Sequence, residues 1–279
     1  MIFLWGKEQR MPPIQSVSFA AAAFNAVYYV GVLHYLQTHA HRLAPGCLFL
    51  GSSSGSVMGP LLVCGVGVDR LVGRLVPFLR ESHRLKNFWA SSRRFLRTVF
   101  GLLPPDAHRR CSRRCVVVYT KITLDTVASV RRSRFRSNRE LFRYIRASCC
   151  IPLVTDTGAI KLGRGHYGVD GTFSDSQPVV DHHTLRINAT QQRGDGADIY
   201  PPQNVTSAHP ALMELPPMHK VRAILAQGYA DARHYLERLA PPLFRGPRSS
   251  RRQKSPVGGE DAPQPELPPL PLPVREWNG

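Results

Sequence analysis

The feature that most constrains the fold is residues 51–55, Gly-Ser-Ser-Ser-Gly, which follow the apolar run 47–50 and precede the apolar stretch 57–68. A strand, a Gly-x-Ser-x-Gly turn and a helix together form a nucleophile elbow, in which small flanking residues let the chain turn sharply and expose the serine. The following helix then directs its N-terminal N–H groups at the charge that develops on an acyl oxygen. The motif alone is weakly specific. It nevertheless indicates that Ser53 attacks esters and that residues 57–68 form a buried helix behind it.

Two further segments have sequence patterns that fit the same kind of active site. Residues 16–36 predict a short strand over 17–19, a run of small residues and an amphipathic helix. In residues 167–178, Asp170 enters a glycine turn directly after a predicted strand. Catalytic side chains collect on such loops at strand ends, so Asp170 is a second candidate for the site.

In this order, the three blocks resemble the patatin-like phospholipases, and in particular the branch that holds adipose triglyceride lipase and adiponutrin. The resemblance extends over about residues 16–239. The matching positions are Ser18, Phe19, Ala20, Phe24, residues 27–32, Gly51, Ser53, Gly55, residues 169–171, Ser174, Asp175 and Pro178.

The resemblance implies a three-layer α/β/α domain with a mostly parallel central sheet. It implies a serine esterase with a Ser-Asp dyad, in which Ser53 is the nucleophile and Asp170 its base. Gly51 and Gly55 would shape the elbow, and Gly171 the aspartate turn. The branch implies triacylglycerol on lipid droplets as the substrate, and the wider family implies phospholipids. No cofactor or metal is expected for this chemistry.

A serine, acid, histidine triad is the rival arrangement, with His182 or His183 as the base. About a dozen residues separate Asp170 from His182, which is short for that fold, and no HGGG-type segment precedes the elbow. Both observations favour the dyad.

The sequence departs from the family in the loop that the resemblance assigns to the oxyanion hole. That region comprises Ala21, Ala22, Ala23 and the N–H of Ser54, and alanine replaces family glycines at positions 21, 23 and 26. A left-handed alanine costs about 1–2 kcal/mol, and losing one oxyanion donor lowers turnover about a hundredfold to a thousandfold. Two hypotheses therefore stand: a lipid acyl hydrolase, or a catalytically impaired lipid-binding regulator.

The formal charge of +18 comes from 37 basic and 19 acidic side chains, and it predicts a polyanionic partner. In residues 84–97 the basic side chains alternate with Phe88, Trp89, Phe95 and Leu96. This pattern is typical of a helix on an anionic membrane or lipid-droplet surface. It equally fits a solvated helix whose apolar stripe lies in the core. Nucleic acid is not expected as the main partner, because no nucleic-acid-binding motif is present, whereas a protein co-activator is compatible with the family.

Length and composition predict one α/β core with extensions. We expect a leader over 1–13, a catalytic domain over 14–185, a packed extension over 186–240 and a disordered, Pro- and Arg-rich tail over 241–279. The opening segment has only four apolar residues before a charge, and no uninterrupted apolar stretch reaches 18 residues. These patterns predict a cytoplasmic protein that is peripheral on membranes or droplets.

Helices are expected over 138–150, capped by Ser137 or Asn138, and over 218–239. Residues 115–120 and the segment from Leu124 onward are expected to form paired or parallel strands. His108, Cys111 and Cys115 have a spacing that a metal could use, but a fourth ligand is missing and the surrounding arginines oppose a cation.

Overall fold

The computed structural model describes residues 12–85, 88–190, 196–202 and 216–239. The expected tail and nearly all of the expected leader lie outside these residues. The strands are β1 Ile14–Phe19, β2 Leu43–Ser52, β3 Cys115–Ile122, β4 Val127–Arg132, β5 Ile160–Gly163, β6 His166–Val169 and β7 Leu185–Ile187. The helices are α1 Val27–Thr38, α2 Met58–Val63, α3 Val68–Leu85, α4 Phe88–Phe100, α5 Ala107–Cys111, α6 Asn138–Ser148 and α7 Met218–Leu239.

The strands form one mixed sheet in the order β5-β6-β3-β2-β1-β7, with β4 pairing separately on β3. The contacts β7/β1, β1/β2 and β2/β3 are parallel, whereas β4 and β6 run antiparallel to β3, and β5 antiparallel to β6. Consequently β1, β2, β3, β5 and β7 all point the same way. Four consecutive residues of β1, Ser16 to Phe19, are buried, so helices cover both faces of the sheet. The expected α/β/α fold is confirmed.

Strand β3 brings two other strands together end to end. Along one edge β4 pairs with β3 continuously, so β2 and β6 must both lie along the other edge. There Ser52 at the end of β2 is opposite Val118, and Val169 at the end of β6 is opposite Thr120. The carboxyl ends of β2 and β6 therefore meet, and the residues that follow them are forced together.

Helix α7 lies along α1. The Tyr28 hydroxyl donates to the Asp231 carboxylate over 2.8 Å, and Arg42 Nη1 donates to the Leu236 carbonyl over 3.0 Å. Val221, Ile224 and Leu225 on the same helix are buried in the core. α7 thus supports α1, which follows the alanine-rich loop.

Three local expectations differ from the structure or are resolved by it. The helix behind the elbow ends at Val63 instead of Val68, because Gly65 adopts a φ of +65° that helical residues do not take. β4 pairs antiparallel, since a short hairpin joins it to β3. In α4, Leu96 is buried in the core, as the second interpretation of the basic stretch expects, whereas the side chains of Phe88 and Trp89 lie outside the described part of the protein. Among the described residues, no helix is long and apolar enough to cross a bilayer.

Candidate active site

Ser53 follows β2 and adopts a φ of +50° at the start of the 3-10 helix Ser53–Val57. Positive φ is unfavourable for a residue with a side chain, and such strain persists only where the surroundings fix the backbone. Here the Ser53 N–H donates to Ser148 Oγ over 2.9 Å, and that hydroxyl donates in turn to the Val118 carbonyl. Helix α6 and strand β3 therefore hold the sharp turn in place.

Asp170 follows β6 and is 1% exposed. Its Oδ2 accepts a hydrogen bond from Ser53 Oγ over 2.8 Å. Its Oδ1 accepts from both the N–H and the hydroxyl of Thr172, over 2.9 and 2.7 Å. The main-chain N–H of Asp170 donates to the Cys150 carbonyl over 2.7 Å. Both carboxylate oxygens are thus occupied, and the side chain has a fixed orientation toward Ser53.

Burial raises the pKa of Asp170 above its ordinary value, and the hydrogen bonds from Thr172 and Ser53 partly oppose that rise. Desolvation penalises the charged form, while donors aimed at a carboxylate favour it. The net result is a more basic carboxylate than one in water. Such a group is better matched to accepting a proton from a hydroxyl.

The alanine-rich loop packs directly beside the elbow. The Ala21 N–H donates to the Ser176 carbonyl over 2.9 Å, and the Ala22 N–H contacts Ser54 Oγ at 3.2 Å. Ala23 has a φ of +45°, in the left-handed region that favours glycine. The loop therefore adopts a glycine-like conformation although an alanine occupies the position.

An open pocket of about 460 Å³ lies over the pair of side chains. Ser53, Asp170 and Ala23 line its base, and Phe24, Phe95 and Leu96 form apolar walls. The pocket borders an apolar cavity of about 400 Å³, and Ala23, Phe24 and Phe95 line both spaces. Residues of α1, α3 and α4 surround this second cavity, which extends away from Ser53.

Sequence reasoning missed Ser148 and the roles of Thr172 and Ser176. The contact between Ser148 and Ser53 spans 95 residues, and a lone serine at the end of a predicted helix carries no signal of it. Thr172 supplies two of the three hydrogen bonds that the Asp170 carboxylate accepts.

The two candidate histidines lie on an exposed turn, with ring centroids 3.8 Å apart. In the described part of the chain, neither His182 nor His183 is among the hydrogen-bond partners of Ser53 or Asp170. The serine contacts the carboxylate directly.

The residues with metal-like spacing have other partners. His108 Nδ1 lies 2.9 Å from Asn138 Oδ1, and Cys111 Sγ lies 3.9 Å from Cys64 Sγ. Within the described ranges, no group of three or more potential ligands converges.

Comparison with known families decides the assignment. The family profile described as Patatin-like phospholipase matches residues 17–181, which is more than half of the 279-residue chain. The chain belongs to the patatin-like phospholipase family.

Three curated relatives of this patatin-like chain illustrate the range of the family. An omega-hydroxyceramide transacylase from Mus musculus is 27% identical over 80% of this chain and 41% of its own length. Patatin-like phospholipase domain-containing protein 2 from Homo sapiens is 27% identical over 80% of this chain and 48% of its own length. A 1-acylglycerol-3-phosphate O-acyltransferase from Mus musculus is 29% identical over 61% of this chain and 42% of its own length. The chain thus spans less than half the length of each of these relatives.

The strained alanine of this patatin-like loop gives a stability prediction. Ala23→Gly is expected to raise the free energy of unfolding by about 1 kcal/mol, because glycine removes the left-handed penalty at φ +45°. Ala22 has a φ of −146°, so Ala22→Gly is the matched control. That change is expected to lower the stability by about 0.4–1 kcal/mol through the entropy of the unfolded chain. Urea unfolding of both variants checks the prediction, and equal shifts in the same direction would contradict it.

Proposed function

We propose that this patatin-like chain is a serine hydrolase of lipid acyl esters, in which Ser53 is the nucleophile and Asp170 the general base. The observation that carries the proposal is the 2.8 Å bond from Ser53 Oγ to a buried carboxylate, made from a strained elbow. An activated nucleophile needs a base within hydrogen-bond reach and a third group that orients the base. The hydroxyl and N–H of Thr172 provide that orientation.

In the proposed reaction, Ser53 Oγ attacks the ester carbonyl while its proton moves to Asp170 Oδ2. The tetrahedral intermediate expels the alcohol, which takes the proton from Asp170, and an acyl-serine ester remains. Water then attacks this ester with Asp170 again as the base. Release of the fatty acid restores the Ser53 hydroxyl and the carboxylate.

For the developing oxyanion we propose the N–H groups of Ala23 and Ser54 as the principal donors within the predicted set. The Ala21 N–H already donates to Ser176, and the Ala22 N–H faces Ser54 Oγ. Ser54 is the second residue of the 3-10 helix Ser53–Val57, where N–H groups have no acceptor inside the helix. Because Ala23 keeps the left-handed conformation, the loop retains the shape that a glycine would give it. This favours activity over the impaired regulator.

The apolar cavity beyond Phe24 and Phe95 is proposed to receive the fatty acyl chain. Its lining is almost wholly aliphatic and aromatic, and burying each methylene there contributes about 0.8 kcal/mol. Triacylglycerol and phospholipid esters both supply such a chain. We further propose that the basic chain works in the cytoplasm, peripherally on an anionic membrane or lipid droplet.

The proposal is tested by fluorophosphonate labelling of the purified full chain and by fatty-acid release from neutral and anionic lipid emulsions. We expect labelling of Ser53, located by peptide mapping, together with release of fatty acid. Binding to the emulsions without labelling would contradict the enzyme proposal and favour the lipid-binding regulator.

The pH dependence of turnover provides a further prediction. If Asp170 acts as the base, kcat/KM falls as pH falls through its pKa. Thr172→Val removes the hydroxyl that donates to Oδ1 and leaves the N–H in place, so the pKa of Asp170 rises further. The acidic limb of the profile is therefore expected to move to higher pH. Thr172→Ser retains the hydroxyl and should keep the limb of the parent chain, and identical limbs for all three proteins would count against Asp170 as the base.

A further inference from the structure

A strained turn lies at the mouth of the pocket over Ser53. Residues 151–154, Ile-Pro-Leu-Val, follow α6, and the Val154 N–H donates to the Ile151 carbonyl over 3.0 Å. This bond closes a four-residue turn with proline in the second place and Leu153 in the third. Leu153 has a φ of +63°, a sign that the third place of a type II turn requires and that glycine or asparagine normally meets. A bulky side chain is therefore present where the backbone disfavours one.

Contacts with the surrounding structure fix this turn. The Leu153 N–H donates to the Asp156 carbonyl over 2.8 Å, and the Thr155 hydroxyl donates to the Cys149 carbonyl over 2.8 Å. Asp156 is 3% exposed, and its carboxylate is held by Arg146 at 2.6 Å. Strained backbone persists only where its surroundings over-determine it. The backbone at Leu153 is thus set before any partner binds, so binding requires little ordering of the loop.

The side chains that the turn presents are apolar and exposed. Leu153 is 86% exposed and Val154 is 40% exposed. Ile151 and Thr155, which flank this pair in the chain, both line the pocket over Ser53. The exposed pair therefore lies at the rim of that pocket. A single exposed apolar residue is ordinary, but one that also strains its backbone beside a pocket for lipid esters indicates a partner that receives hydrocarbon.

The neighbouring surface is basic. On the other side of Asp156, Arg143 and Lys161 line an open groove between α6 and β5, and both side chains are exposed. Within the described ranges, neither side chain belongs to an ion pair. Peripheral proteins bind anionic membranes with this combination, since apolar side chains enter the acyl layer while cations remain at the head groups. Charge and hydrophobicity thus favour the same partner.

We propose that Leu153 and Val154 insert into the hydrocarbon layer of an anionic lipid bilayer, and that this insertion directs the pocket over Ser53 at the surface that supplies its substrate. The inference rests on the proposed function, since it names the surface that the same site faces. Arg143 and Lys161 lie at the level of the anionic head groups.

Vesicle binding by an inactive full chain tests the turn independently of turnover. In a Ser53→Ala background, flotation measures the affinity for vesicles of phosphatidylcholine and phosphatidylserine in equal parts. Leu153→Asn is expected to weaken binding about tenfold, as expected for one leucine side chain that no longer enters hydrocarbon. The same change should raise the urea concentration at the midpoint of unfolding, because asparagine tolerates the left-handed conformation better than leucine. Weaker binding by a more stable protein excludes misfolding as the cause.

Leu239→Asn is the matched control, since Leu239 is an exposed leucine at the end of α7. The Leu236 carbonyl in the same helix accepts from Arg42, which directly precedes β2, whereas Ser53 directly follows β2. The control therefore lies at the opposite edge of the sheet and should keep parental binding.

Parental binding in Leu153→Asn, or an equal loss in Leu239→Asn, would overturn the proposal. If the chain is dimeric without vesicles and Leu153→Asn makes it monomeric, the turn is a contact between two copies and the lipid role is wrong. Loss of turnover in the parent chain would bear on the dyad alone.

Discussion

Replacing Ser53 with alanine is expected to abolish fluorophosphonate labelling and to lower lipid-ester turnover by about ten-thousandfold or more, as loss of a serine nucleophile does in other hydrolases. The hydroxyl is the atom that donates to Asp170 over 2.8 Å, and alanine has nothing to replace it. The fold should survive, because the main-chain N–H of residue 53 still donates to Ser148 Oγ.

Ser52→Ala is the matched control, in the same motif and one residue away. The Ser52 hydroxyl is buried and has no hydrogen-bond partner among the described residues, so its removal leaves no broken bond. Turnover and labelling should remain close to those of the parent chain. Loss of labelling in Ser52→Ala, or its survival in Ser53→Ala, would place the nucleophile elsewhere.

Asp170→Asn is expected to have an effect of similar size, because it keeps the shape of the side chain but removes the proton acceptor. The amide oxygen can still accept from the N–H and hydroxyl of Thr172. The amide nitrogen then faces Ser53 Oγ as a donor, so the hydroxyl loses its base. Substantial labelling in Asp170→Asn would rule out the dyad.

The same variant should be more stable than the parent chain at neutral pH. Burial raises the folded-state pKa of Asp170 above its unfolded value. The contribution of this group to the free energy of unfolding is therefore largest below the unfolded pKa, and it is lost as pH rises through the folded pKa. Asparagine carries no such penalty, so denaturant unfolding at neutral pH should require more urea. A gain in stability with a loss of turnover would separate the chemical role of Asp170 from misfolding.

The sequence carries enough local information to predict most of the elements around this pair. Period and capping predicted α7 over its full length, and the N-terminus of α6, where Ser137 Oγ accepts from the Glu140 N–H. A 3.6-residue period and a cap are properties of neighbouring residues, so a single sequence reveals them. The resemblance supplied the rest of the fold, since the alternation of strands and helices does not by itself fix the strand order.

What the sequence could not predict depends on contacts between distant segments. The end-to-end meeting of β2 and β6 on β3 requires the register of three strands, and no local pattern encodes it. The sequence likewise does not predict the left-handed conformation of Ala23, because alanine normally avoids that conformation. A cleft between α4 and α6 brings Arg93 and Arg97 near Arg146, about 50 positions away along the chain, whereas the sequence showed only a general excess of charge.

Gly55→Ala is expected to lower the free energy of unfolding by about 3 kcal/mol, the upper part of the range for overpacked sites. A methyl group on Gly55 would lie 2.3 Å from the Phe19 carbonyl oxygen and 2.5 Å from that of Ala20. Both neighbours are backbone atoms, and the Ala20 N–H is itself bonded to the Ile187 carbonyl in the sheet. No side chain can rotate away to make room. The 3-10 helix Ser53–Val57 must therefore move away from β1.

That displacement should also reduce catalysis, because Phe19 and Ala20 lead directly into the alanine-rich loop and Gly55 follows the nucleophile by two residues. Gly73→Ala is the matched control: it lies inside α3, and beyond the adjacent backbone of that helix no atom lies within 4 Å of the position its methyl would take. There alanine should raise stability by about 0.5–1 kcal/mol through helix propensity. Urea unfolding and labelling of both variants distinguish the cases. Full labelling and parental stability in Gly55→Ala would show that the elbow can shift away from β1 without disturbing Ser53, so that its contact with β1 does not set the position of the nucleophile.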